Sequence, residues 1–228
     1  MATPPVVHIV CSDRHRNGKT LLARVLVDYL MLDGRDPFVI DAGFPDGPLR
    51  NYFPGRTALV DFETIPGQMK LFDTILGSPG RDYVIDLPSG QTENFFKASG
   101  ELGFIGEARH QGFKIVVLFV VDQTPDSLKT AKTLEAGAQP DAMVLVRNGF
   151  VGSTLVDISH RIVIDMPELD AHIAAFAGTR RFSFRGFLLD DDQDLPAGQK
   201  TKLKTFLYEM MTGLRDIGPA TTLRALRN

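Results

Sequence analysis

Six short apolar runs punctuate the chain: Val6 to Cys11, Phe38 to Ile40, Tyr83 to Leu87, Ile115 to Val121, Met143 to Val146 and Ile162 to Ile164. Each is continuous rather than alternating, the pattern of strands covered on both faces. Between them apolar residues recur at helical spacing, as in Leu22, Val25, Leu26 and Tyr29, or Met69, Phe72, Ile75 and Leu76. Strand then helix, repeated, predicts an α/β fold with a mostly parallel central sheet flanked by helices. At 228 residues and 43% hydrophobic content the chain can bury a sizeable core. No internal repeat, low-complexity tract or break in composition divides it, so the expectation is a single domain over 1–228.

Two segments depart from this rhythm. Gly43 to Gly67 is rich in Gly and Pro without a clear period, and is expected to be a long connection with little regular structure. Near the end, Asp190, Asp191, Asp192 and Asp194 precede a helix expected over about 198–217, with Leu203, Phe206, Leu207, Met210 and Leu214 on one face. An acidic run suits a helix N-terminus through the dipole.

Charge narrows the function classes. With 25 Lys+Arg against 28 Asp+Glu, the net charge of -3 provides no overall basic field for nucleic acid or anionic lipid. The single cysteine, Cys11, excludes an intramolecular disulfide, and with 5 His no transition-metal cluster is suggested by spacing. No charged start leads into a long apolar run, so neither a signal peptide nor a transmembrane helix is expected, and the protein reads as soluble and cytoplasmic. Lys200, Lys202, Lys204, Arg215, Arg224 and Arg227 gather late in the chain, where nonspecific DNA contact and an ordinary solvated helix face are both open readings. Leu223 to Arg227 is too short and weakly apolar for a membrane-targeting helix.

The sharpest motif follows the first apolar run. Ser12-Asp13-Arg14-His15-Arg16-Asn17-Gly18-Lys19-Thr20 leads into a helix beginning Leu21-Leu22, and its second half is a Walker A ending. A strand-to-helix turn with Gly18 lets backbone N–H groups approach phosphate oxygens, and the helix N-terminus adds its positive end. Asn17, Gly18, Lys19, Thr20 and Leu21 are therefore the candidate nucleotide contacts, with Lys19 neutralising the β and γ phosphates. Thr20 would present its hydroxyl to a bridging Mg²⁺. A full match requires Gly where Asp13 stands, and a carboxylate there is unwelcome beside phosphate. Asp86, ending Tyr83-Val84-Ile85, reads as a Walker B carboxylate orienting Mg²⁺, with Gly90 able to meet a γ phosphate. Asp41 similarly ends Phe38-Val39-Ile40, since ligands of open α/β sheets bind beyond the carboxyl ends of strands. The bland alternative for either aspartate is a strand-end turn or helix cap. Cys11 is either a thiol activated by the helix dipole or small buried filler, and His15 either faces phosphate or lies in solvent.

With this loop, Val-Ile-Asp-Ala-Gly-Phe-Pro from 39 to 45, Val-Ile-Asp-Leu-Pro-Ser-Gly from 84 to 90 and Val-Leu-Val-Arg-Asn from 144 to 148, the chain resembles the ParA/MinD-type P-loop ATPases. The likeness runs over most of residues 5 to 180. It implies ATP or ADP with Mg²⁺ as ligands, a nucleotide-sandwich homodimer, and a protein partner or cargo, in a partition, conjugal-transfer or cell-pole type of system, without membrane attachment. It also implies purine contacts from Asn148 and from the Met166-Pro167 loop. Arg14 occupies the position of the family's signature lysine, which reaches across the dimer; arginine carries a permanent charge in a different geometry. Gly43 stands where the family commonly carries a hydrolytic aspartate, and Asp46 has the wrong offset to replace it. Lys19, Arg14 and Asp86 are thus the candidate catalytic residues of a weak ATPase, and Thr20, Asp41 and Asp86 the candidate metal residues. Two rival readings are a small-molecule kinase or ligase on the same scaffold, and a pseudo-ATPase that serves only as an interaction module.

Overall fold

All six apolar runs form strands. The computed structural model describes residues 4–122, 124–149, 162–190 and 194–217. Its strands are β1 (Val6–Cys11), β2 (Phe38–Asp41), β3 (Thr57–Leu59), β4 (Tyr83–Asp86), β5 (Lys114–Val121), β6 (Ala142–Asn148) and β7 (Ile162–Met166). They make one sheet in the order β3-β2-β4-β1-β5-β6-β7, with every pairing parallel. The helices are α1 (Lys19–Leu32), α2 (Leu49–Tyr52), α3 (Ile65–Leu76), α4 (Thr92–Glu101), α5 (Phe104–His110), α6 (Pro125–Ala138), α7 (Ala171–Thr179), α8 (Phe184–Asp190) and α9 (Ala197–Arg215).

The continuous apolar runs are explained by burial on both faces. Along β1, Val7, Ile9 and Cys11 enter one core and Val10 the other. The first core packs against α3 to α6 and is aromatic, with Phe72 stacked on Phe104 at a ring-centroid distance of 4.5 Å and Phe95 beside Phe62 and Phe72. Burying each such ring contributes about 1.5–3 kcal/mol. The second core gathers Leu22 and Leu26 of α1, Phe184 and Phe187 of α8, and Leu203, Phe206, Leu207, Met210 and Leu214 of α9. The C-terminal helix therefore carries the apolar face read from its sequence.

Two expectations are corrected. The segment 43 to 67 is not an irregular connection: it holds α2, the edge strand β3 and the start of α3. These elements are too short to show a period, and β3 pairs on one side only, with β2. The acidic run does not cap the C-terminal helix, since Asp190 closes α8, Pro196 is the N-cap of α9, and the first turn of α9 contains no acid. Asp191 and Asp192 lie outside the described residues. Among the described residues no helix is long and apolar enough to cross a membrane.

Strand order positions the site. β1 lies between β4 and β5, so its C-terminal loop emerges at the centre of the sheet where the chain switches direction of winding, the place where open parallel sheets bind ligands.

Candidate functional site

The loop after β1 is held from several sides. The Ser12 hydroxyl accepts from Asn17 Nδ2 and from the Arg14 amide at 3.1 Å, while the Ser12 carbonyl accepts from Thr92 Oγ1 at 2.8 Å. Asn17 also donates to the Val120 carbonyl at 3.2 Å, which ties the loop to β5. Asn148, at the end of β6, donates to the Asn17 carbonyl at 2.8 Å. Gly18 has φ 93°, the left-handed region. A Cβ there would lie 2.5 Å from Met166 Cε and 2.8 Å from Asn148 Nδ2, so both backbone conformation and space demand glycine.

Past Gly18, α1 begins with its first internal bond from the Leu22 amide to the Gly18 carbonyl at 2.9 Å. The amides of Lys19, Thr20 and Leu21 have no intrahelical acceptor, and their positive helix end faces the cavity these residues line. That cavity has a volume of about 370 Å³, and its walls also include Arg16, Asn17, Asp41, Asp86 and Ser89.

Lys19 is buried, with the ammonium turned back on the loop: Nζ donates to the Arg14 carbonyl at 2.7 Å, to Ser89 Oγ at 2.8 Å and to Asn17 Oδ1 at 3.3 Å. Three donors meet three acceptors. Burial lowers its pKa, and the Asp86 carboxylate opposes that shift.

The parallel register sets Asp41 of β2 directly beside Asp86 of β4. Asp86 Oδ2 accepts from Thr20 Oγ1 at 2.7 Å, whereas Oδ1 is buried without a hydrogen-bond partner. Burial pushes the Asp86 pKa up to about 7. A hydroxyl and an orphaned carboxylate oxygen of this kind fit Mg²⁺, a hard cation that takes oxygen ligands and keeps several waters. Asp41 is differently placed. Its Oδ1 accepts from the Gly43 amide at 3.0 Å and its Oδ2 from the Leu49 amide at 2.9 Å, so it organises the turn after β2. Burial raises its pKa.

The candidate residues thus separate. Asn17, Gly18, Lys19, Thr20, Leu21, Asp41 and Asp86 meet around one cavity. Arg14 does not line it; its Nε pairs with Asp122 at 3.0 Å and its side chain is 51% exposed. Asp13 also turns away, accepting from Ser127 Oγ of α6 at 3.0 Å, which removes the repulsion expected of a carboxylate beside phosphate. Asn148 is buried against the loop backbone, and Pro167 lies beyond β7 outside the cavity wall. Gly90, expected near a γ phosphate, lies instead on a separate groove, and Ser89 faces the cavity in its place. Ser89 and Ser12 are site residues not expected from the sequence; their signal is a hydroxyl three residues beyond Asp86 and another at the first loop position.

Asp46 is exposed and absent from the cavity wall, and His15 is exposed. Cys11 is fully buried and burial pushes its thiol pKa up, so it is core filler rather than an activated thiol. On α9, Lys202 pairs with Asp170 at 3.1 Å and Arg215 with Asp216 at 3.4 Å; Arg224 and Arg227 lie outside the described residues.

No protein-family model matches the sequence, and no curated protein does. Solved structures do resemble the fold. MinD of Aquifex aeolicus aligns over 93% of this chain and 97% of its own, with TM-score 0.52 at 19% identity. The MinC:MinD cell division complex of the same organism aligns over 93% and 96%, with TM-score 0.55 at 16% identity. A nucleotide-binding protein of Archaeoglobus fulgidus, in complex with ADP, aligns over 76% and 85%, with TM-score 0.48 at 12% identity. The chain has a MinD-like α/β fold.

Proposed function

We propose that the protein is a ParA/MinD-like nucleotide switch that binds ATP, or ADP, with Mg²⁺ at the cavity formed by the 12–20 loop and hydrolyses ATP slowly. The observation that carries this reading is the convergence on one cavity of the free amides at the start of α1, the Lys19 ammonium, and the Thr20–Asp86 pair with its orphaned oxygen. Phosphate takes hydrogen bonds from the amides of Lys19, Thr20 and Leu21, and draws Nζ off the Arg14 carbonyl and Ser89. Ser89 keeps its own bond to the Arg14 carbonyl at 3.0 Å, so that carbonyl stays satisfied when the lysine leaves. Thr20 and Asp86 would hold Mg²⁺, which supplies charge neutralisation across the β and γ phosphates. Asn148 holds the loop in shape from behind.

Slow turnover follows from what the cavity lacks in a mobile base. Both oxygens of Asp41 are engaged by backbone amides, and Gly43 has no side chain to orient water. Binding without fast cleavage suits a switch, and by resemblance the switched element is a homodimer that positions a protein partner or cargo. Such a switch works by holding nucleotide more tightly in one assembly state than in the other. The test is size measurement of the wild type and of Lys19→Ala with and without ATP and Mg²⁺. Wild type becoming dimeric only with ATP, and Lys19→Ala staying monomeric, is the expected result; a wild type that stays monomeric at saturating ATP contradicts the switch.

A further inference from the structure

The loop between β1 and α1 carries a second cation beside the phosphate cavity. Arg16 forms part of the cavity wall, two positions before Gly18 and three before Lys19. It is exposed, and among the described residues no carboxylate pairs with it. Arg14, the other arginine of the loop, is engaged elsewhere, with its Nε 3.0 Å from Asp122.

The backbone at this position is unusual for an arginine. Arg16 has φ 54°, in the left-handed region where a Cβ crowds the following carbonyl oxygen. Among the described residues Gln139 is the other non-glycine with a positive φ, and it closes α6, where a left-handed cap is an ordinary way for a helix to end. Arg16 ends no helix. Glycine would take the same φ without strain, as Gly18 does two positions on. A long cationic side chain standing in a conformation that suits glycine, on the wall of a ligand cavity, points to a use for that side chain.

Charge indicates what the use is. The ionisable side chains of the wall are Arg16, Lys19, Asp41 and Asp86, so without Arg16 two acids would face one base. That base is itself buried and held by the Arg14 carbonyl and Ser89. Arg16 restores the balance, and its guanidinium offers a permanent charge and forked donors of the kind phosphate oxygens accept.

We propose that Arg16 is a phosphate-binding residue of this site, pairing from the exposed side of the cavity with the phosphate chain of the nucleotide. The inference rests on the nucleotide reading of the cavity and adds a contact at a position that the Walker A pattern leaves open. Calorimetric titration of wild type, Arg16→Gly and Arg16→Asn with ATP and Mg²⁺, each at low and at moderate salt, tests it. Glycine and asparagine both suit a left-handed backbone, so each variant removes the charge without straining the loop, and both should melt close to the wild type. ATP affinity should fall at least about tenfold in both, as expected for a lost hydrogen bond between charged groups, and the remaining affinity should depend less on salt than that of wild type. A wild type that binds no ATP overturns the nucleotide reading itself. A wild type that binds ATP, with both variants binding equally tightly, overturns the role of Arg16 alone. So does a loss of affinity that leaves the salt dependence unchanged, or one seen in only one of the two variants, since either traces the effect to loop shape rather than to charge.

Discussion

Asn148 Nδ2 lies 2.8 Å from the Asn17 carbonyl oxygen, so the end of β6 clamps the phosphate loop one residue before Gly18. The clamp leaves Gly18 no room for a side chain. Gly18→Ala combines a left-handed backbone with a collision at Met166 and Asn148, a strain of about 1–2 kcal/mol from conformation and about 1–3 from overpacking. We expect a lower melting temperature and at least about tenfold weaker nucleotide binding, the tenfold corresponding to 1.4 kcal/mol. Calorimetry and thermal denaturation of the variant check both. Unchanged affinity in Gly18→Ala would show that the loop does not hold phosphate in this conformation.

Asp86 and Thr20 make the metal prediction. Thr20→Ala removes the hydroxyl that donates to Asp86 Oδ2, leaving both carboxylate oxygens without a hydrogen-bond partner. ATP titrations with and without Mg²⁺ should show that the gain from Mg²⁺ shrinks at least about tenfold in Thr20→Ala and in Asp86→Asn, while binding of metal-free ATP changes far less. An undiminished Mg²⁺ effect in both variants would remove these residues from the metal site.

Arg24 gives a prediction about stability alone. Its guanidinium donates to the carbonyls of Ala177 and Phe182 at 2.6 and 2.5 Å and sits 3.8 Å over the rings of Tyr52 and Phe184, linking α1 to the α7–α8 segment. Arg24→Ala leaves two buried carbonyls without donors and removes the cation from two rings, which should cost on the order of 3 kcal/mol. Denaturant unfolding measures it. Arg24 does not line the phosphate cavity, so ATP affinity of the folded variant should match the wild type.

His8 sets an acid limit. It is buried in β1, and burial lowers its pKa from the ordinary 6.5 to about 3, with Arg35 adding to the shift. Between those values the unfolded chain binds a proton that the folded chain does not, so stability from this group is complete above pH 6.5 and is lost as pH falls toward 3. Asp28 and Asp86 work the other way, since burial raises their pKa values from 3.8 to about 6 and about 7, and between those limits the folded chain binds protons that the unfolded chain does not. The net acid slope is therefore shallower than His8 alone dictates. His8→Gln should remove the histidine's loss, so that between neutral pH and pH 4 the variant gains on the order of a few kcal/mol relative to wild type. A variant as acid-sensitive as wild type would show that His8 is not the titrating group.

The strands were legible because burial on both faces makes them continuous apolar runs, as in Ile115 to Val121. The edge strand Thr57–Leu59 was not, since three half-buried residues pairing on one side carry no pattern. At the site, Asn17 to Thr20 could be placed from spacing, because a strand-to-helix turn fixes where amides and hydroxyl point. The outward turn of Asp13 and Arg14 could not, because it depends on Ser127 and Asp122, more than a hundred residues away in sequence. Asn148 was singled out by order along the chain, yet its grip on the Asn17 carbonyl is a tertiary contact that no local pattern encodes.

The Lys19 cavity is proposed to hold a nucleoside triphosphate. Calorimetric titration of wild type and Lys19→Ala with ATP and Mg²⁺ tests it most directly. Saturable one-to-one binding by wild type is expected, weakened by at least about a hundredfold in Lys19→Ala, since removing one partner of a charged, partly buried contact costs about 3 kcal/mol or more. No binding by wild type, or equal binding by both proteins, would contradict it.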